Sequence, residues 1–188
     1  MKSHPSTRMV GLLCAAALAS CASKPESTRL PVAASLQPDT SMNGRVFEAV
    51  NAYRRGQGAG TLQRHAGLDR LALKHSEYLR KHRGTFSIYG KNVSHHGFDG
   101  RAALAQRNYQ MLSISENVAA AYGPGSNAPS ALLDLWRGSK DHHKNMTDEW
   151  THTGVGVVVD SDGTVFATQL FATRDYSQMA FRERMNQF

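Results

Sequence analysis

Near the C-terminus, Val155, Val157 and Val159 alternate along one run, Asp160-Ser161-Asp162-Gly163 interrupts it, and a second β-branched and aromatic run follows from Val165 to Ala172. An Asp-Gly pair between two such runs supplies the positive φ of a tight turn, so this stretch predicts an antiparallel hairpin. Everything with a clear period upstream of it is mostly helical. That order, helices first and a hairpin last, predicts an α+β fold with helices packed on a small, mostly antiparallel sheet.

The helical segments follow from spacing. Val46, Val50 and Tyr53 recur at helical intervals and stop at a Gly-rich stretch, predicting a helix over residues 43–55. Leu68, Leu71, Ala72, His75, Leu79 and His82 form a second stripe, running to about Arg83 and stopped by Gly84. Asp99 or Gly100 opens a third, shorter helix through Tyr109. Ser126 or Asn127 caps a fourth, with Pro129 in its first turn, burying Leu132, Leu135 and Trp136. Ile114, Glu116, Val118 and Ala120 alternate as a strand that sets one acid among apolar neighbours.

Both cysteines, Cys14 and Cys21, precede all of this. The body of the chain therefore holds neither an internal disulfide nor a thiolate zinc site. Lys2 and Arg8 precede an apolar run from Met9 to Ala17, too short to span a bilayer, which marks residues 1–20 as a signal peptide. It ends in Leu18-Ala19-Ser20-Cys21, which resembles the bacterial lipobox. On that reading Cys21 becomes the lipidated first residue, and the mature protein is anchored to a membrane without spanning it. Ala22 and Ser23, with no Asp after the cysteine, imply export to the periplasmic face of the outer membrane if the source is Gram-negative. Residues 21–42 then form a tether, Pro-rich, periodless and neutral. At about 5–6 Å times the square root of its length, it would hold the domain a couple of nanometres from the lipid. The folded domain is expected over 43–175, with a C-terminal extension over 176–188.

Four polar clusters mix imidazole or carboxylate with small residues: Ser94-His95-His96-Gly97, Ser115-Glu116-Asn117, Trp136 to Asn145, and Glu149 to Gly156. Together with Asn51-Ala52-Tyr53-Arg54, His75-Ser76 and Thr168-Gln169, they stand in the order of the bacterial branch of the CAP superfamily, the cysteine-rich secretory, antigen 5 and pathogenesis-related 1 proteins. The chain resembles that family over about residues 43–173. The resemblance implies a three-layer α-β-α sandwich with a cleft lined by two His and two Glu, where some members bind a divalent metal. It places His95, Glu116 and His142 in that cleft. It also aligns Glu149 and His152 with cleft positions, but with residue types exchanged, so the tetrad departs from the family pattern.

On chemical grounds alone, His95, Glu116 and His142 could form an open divalent-metal site, Zn²⁺ being suited to imidazole and carboxylate. They could instead form a proton-transfer set without metal, with the pKa of Glu116 raised by its apolar strand neighbours. A buried hydrogen-bond network joining loop to sheet is the third reading. His75 and His82 read as core or edge histidines, Ser139 as a helix cap, and Trp136 and Trp150 as packing residues. No nucleophile and base stand at a recognisable spacing. Two functions follow: a binding module for an envelope lipid, glycan or protein, or a metal-dependent hydrolase of an envelope polymer.

The net charge of +7 is unevenly spread. Residues 54–91 hold nine Lys and Arg against Asp69 and Glu77, whereas 92–188 hold eight against ten acids. Arg70, Lys74 and Lys81 share a face of the second helix, a patch suited to anionic envelope lipid or glycan. Nucleic acid is not expected as a partner, since an exported protein rarely meets it and no stacking aromatics sit among the basic residues.

Overall fold

In the computed structural model, the described residues are 41–83, 94–177 and 184–185. The expected signal segment, Cys21, the expected tether, Gly84 and most of the expected C-terminal extension lie outside them. The described residues all belong to one compact unit, residues 37–188.

Among the described residues the elements follow in the order α1 (Met42–Gly56), β1 (Gln63–Arg64), α2 (Ala66–Lys81), α3 (Phe98–Tyr109), β2 (Met111–Ala121), a 3-10 turn (Gly125–Asn127), α4 (Ala128–Arg137), α5 (Lys140–Thr147), β3 (His152–Val159) and β4 (Val165–Arg174). The sheet order is β1-β3-β4-β2. β3 and β4 form the expected hairpin, β2 pairs antiparallel with β4, and only the two-residue β1 runs parallel, to β3. At the hairpin turn Gly163 takes φ 81°.

Side-chain parity assigns the two faces. Ala119, Val155, Ala167 and Phe171 pack with Val46 and Val50 of α1, Leu132 and Trp136 of α4, and Met146 of α5. The alternate residues Leu170 and Ala172 pack with Leu68, Leu71 and Ala72 of α2 and Ala105 of α3, while Val118 and Phe166 meet Leu79. The result is an α-β-α sandwich, as expected. Gly154 and Gly156 set how close α2 lies: a Cβ on Gly154 would run into the Leu68 backbone, and one on Gly156 into the backbone nitrogen of Leu73. Ser76 of α2 then donates across the contact to Gly156 O at 2.8 Å and hydrogen-bonds Thr168 Oγ1 at 2.9 Å.

Several boundaries differ from the sequence expectation. α2 ends at Lys81 with His82 as its C-cap, and α3 begins at Phe98 behind Gly97, whose φ is 73°. β2 is longer than its alternating core because the ladder to β4 continues past Ile114 through an irregularity to Met111. Leu135 is 37% exposed, because α4 turns Leu132 and Trp136 inward and Leu135, about 100° round the helix from Trp136, falls at the edge of the buried stripe. α5 was legible only through its cap: Ser139 accepts from His142 N.

Candidate functional site

The site lies where β2, the edge strand, meets α2, α3, α5 and the 94–97 loop. Glu116 is on the α2 side of β2, its side chain only 1% exposed. An ionised carboxylate so placed needs partners. Arg101 supplies a fork, Nε to Oε2 at 2.7 Å and Nη2 to Oε1 at 2.8 Å, while its Nη1 donates to His96 O at 2.8 Å. The left-handed turn at Gly97 starts α3 so that Arg101, one turn in, faces back to the sheet. His95 adds a third contact, Nδ1 to Oε1 at 2.9 Å. His75 Nε2 lies 4.0 Å from the same oxygen and 2.8 Å from Ser94 O; since a carbonyl only accepts, that nitrogen carries the proton.

Electrostatics follow from these contacts. Burial pushes the Glu116 pKa upward, but the hydrogen bonds from His95 and Arg101 and the Arg101 charge outweigh it and hold the carboxyl below its ordinary value. The proton-transfer expectation, which required a raised pKa, is thereby corrected: Glu116 is an ionised acceptor, held there by Arg101. Burial lowers the pKa of His75, partly opposed by Glu116. His142 is lowered by burial first and by His95 second.

His142 approaches from the start of α5, its ring centroid 5.9 Å from that of His95. The polar run that carries it is a clamp on β2. Asn117 Nδ2 donates to His142 O at 3.0 Å, and Asn145 Nδ2 donates to Asn117 Oδ1 at 3.0 Å. Asn145 Nδ2 also reaches Glu116 O at 3.4 Å, so Glu-Asn and His-x-x-Asn act as paired motifs in which each asparagine holds the backbone that presents the other motif's His or Glu.

The structure therefore brings His95, Glu116 and His142 together and leaves Glu149 and His152 elsewhere. Glu149 is exposed beyond α5. His152 is buried at the start of β3, in register with Ala172, whereas Glu116 registers with Leu170. Its Nδ1 lies 2.8 Å from Thr151 Oγ1 and its ring meets His65 at 6.1 Å. Arg101 was missed in the sequence. The available signal was the need of a lone buried acid on an apolar strand for a cation, and Arg101 is the basic residue that follows the Ser-His-His-Gly turn most closely.

Among the described residues, no three His, Cys, Asp or Glu side chains form a metal-holding group. Glu116 does not fit the role of direct ligand as arranged, because coordination would require the Arg101 fork to open. His95 and His142 fit better: His95 Nδ1 faces the carboxylate and Nε2 is left over, the arrangement of an imidazole oriented from behind by a carboxylate.

Sandwich, sheet order and motif placement agree with the sequence match. The chain matches the cysteine-rich secretory protein family, CAP, over residues 47–171, and it belongs to that family. The fold is similar to that of an outer surface protein from Borrelia burgdorferi, at 14% identity and a TM-score of 0.54, covering 69% of this chain and 90% of that one. An extracellular SCP-domain protein from Bacillus anthracis str. Ames matches at 23% identity and TM-score 0.49, covering 69% of this chain and 39% of that one. A cysteine-rich secretory protein from Staphylococcus aureus subsp. aureus Mu50 matches at 16% identity and TM-score 0.49, covering 69% and 37%. Comparison with curated proteins found no significant match.

Proposed function

We propose that this chain is an exported, lipid-anchored member of the family that acts as a binding module at the cell envelope, contacting an envelope lipid, glycan or protein through the cleft of His95, Glu116 and His142. The observation that carries this reading is the engagement of Glu116. Both its oxygens are held by Arg101 and His95, so Glu116 itself is not free to act as a base. Ser139, the nearest hydroxyl in the motif, caps α5 through His142 N. Export is supported by the charged and apolar N-terminal run ending at Cys21, and by the outer-surface naming of the Borrelia burgdorferi neighbour. Arg70, Lys74 and Lys81 are all exposed on α2 and form a basic surface for anionic envelope material.

The alternative is a metal-dependent hydrolase. A divalent ion such as Zn²⁺ on His95 and His142 would supply Lewis acidity and an activated water. Glu116 would orient His95, and Arg101 would keep Glu116 ionised.

The full chain separates these readings. Membrane fractions of expressing cells should contain the protein, and Cys21→Ser should release it; unchanged membrane association refutes the anchor. Purified protein should bind isolated envelope, and His95→Ala and His142→Ala should weaken that binding without altering thermal stability by much. Zinc-dependent release of soluble fragments from the envelope, lost in His95→Ala, would replace the binding reading with the hydrolase.

A further inference from the structure

Away from the His95–Glu116–His142 cluster, the ends of α1 and α5 and the Gln57 to Gly60 loop border an open pocket of about 410 Å³. That is within the range of about 300–1,000 Å³ typical of small-ligand pockets. It shares no lining residue with the cluster around Glu116. Its wall includes Arg54, which is 1% exposed. A buried guanidinium ordinarily sits against a carboxylate, since an uncompensated charge is costly in a low-dielectric interior.

Arg54 is held differently. Nε donates to Gly60 O at 2.7 Å, and Nη1 donates to Met146 O at 2.6 Å and to Asp148 O at 2.9 Å. These are all backbone carbonyls. Among the described residues no ion pair reaches Arg54, and Nη2 has no hydrogen-bond partner. The nearby Asp148 carboxylate is turned away, to Lys144 Nζ at 2.8 Å and to Glu149 N at 3.2 Å. Two N–H donors of Arg54 are thus left over at a cavity wall.

The rest of the lining narrows the ligand. Trp150 Nε1 is committed to Asn145 O at 2.9 Å, so its ring offers only apolar face and edge. Glu149 is an exposed acceptor and Gln57 both donor and acceptor. A phosphate or carboxylate would meet Arg54 but face Asp148 and Glu149. A cation would meet the carboxylates but face Arg54. A neutral polyol with an apolar C–H face satisfies the set: its hydroxyls accept from Nη2, donate to Glu149, and its ring lies on Trp150. We propose that this cavity is a saccharide site, separate from the cleft, that takes a ring of an uncharged glycan.

The test is an NMR titration of the purified full-length chain with chitotriose and, separately, maltotriose, following the Trp150 indole N–H and the Arg54 guanidinium. At least one sugar should shift both signals. Arg54 is buried and its replacement could unfold the chain, so the probing variants are Glu149→Ala and Gln57→Ala. Glu149→Ala should weaken sugar binding roughly tenfold or more, the loss of a hydrogen bond to a charged group, with thermal stability retained. His95→Ala should leave the sugar-induced shifts unchanged. If both sugars at saturating concentration move neither signal, or if inorganic phosphate alone moves them, the proposal is overturned. If His95→Ala abolishes the shifts, the sugar belongs to the cleft and the separate site does not exist.

Discussion

Arg101 grips Glu116 at both carboxylate oxygens, 2.7 and 2.8 Å away, across the gap between α3 and the edge strand. The pair is nearly dry, with side-chain exposures of 12% and 1%. Arg101→Gln should therefore leave a buried carboxylate with only its histidine contacts. Loss of one partner from such a pair costs about 3–5 kcal/mol. Urea unfolding should show that loss, and Arg101→Lys should recover only part of it, because an ammonium lacks the two-pronged geometry. An Arg101→Gln protein as stable as the parent would show that the fork contributes nothing.

Stability should fall with acid. His65, His75, His142 and His152 all have pKa values lowered in the fold, by burial first in each case. The unfolded chain therefore binds more protons than the folded one as pH drops below the ordinary histidine value of 6.5. Glu116, also lowered, adds a second loss as pH falls below its ordinary 4.5 toward its folded value. Both act in the same direction. Denaturant midpoints should decline in two stages, the first from neutral pH to about pH 5 as the imidazoles charge and the second below about pH 4.5 as Glu116 is protonated; a flat profile above pH 5 would contradict the burial of these imidazoles.

Gly156→Ala should be severely destabilising. The added Cβ would collide with Leu73 N, a backbone atom that cannot rotate away. Overpacking of this kind costs about 1–3 kcal/mol and sometimes more. Gly60→Ala, where nothing lies within 4 Å, is the control and should melt close to the parent. Equal melting temperatures for the two would mean that α2 does not rest on the sheet as described.

Ser139→Ala tests the cap of α5. The hydroxyl accepts from His142 N at 3.5 Å, a long bond, so the cost should lie near the low end of the usual range of about 0.5–2 kcal/mol. Ser139→Asp should restore stability. Envelope binding that disappears in Ser139→Ala while the fold is kept would instead give the hydroxyl a direct role.

The hairpin was legible because Asp-Gly and strict alternation are local signals, and α1, α2 and α4 because their apolar stripes recur at helical spacing. β1 was not, since two residues carry no period and Gln63 and Arg64 are placed by pairing with His152 and Thr153. α5 was hidden by its polar composition: of its eight residues only Met146 is buried. In the site, motif order located His95, Glu116 and His142, but could not place Glu149 and His152, whose positions depend on strand register and on where α5 stops. Arg101 was missed for a different reason: its signal lay only in the need of the buried Glu116 for a cation, not in any local motif. Its partner is fifteen residues away and on another element.

Gly154 and Gly156 give the side of the site that carries His75 a mechanical stop. With helix backbone resting on strand backbone and no side chain between them as a cushion, α2 cannot sink further, and the Ser76 bonds to Gly156 and Thr168 resist sliding. His75 rides on the same helix, one residue before Ser76, so its distance from Glu116 is gauged by that contact. The cluster around Glu116 is in this sense gauged like a part against a fixed jaw, α2 on the sheet, with His95 and Arg101 closing on the carboxylate from the opposite loop and helix.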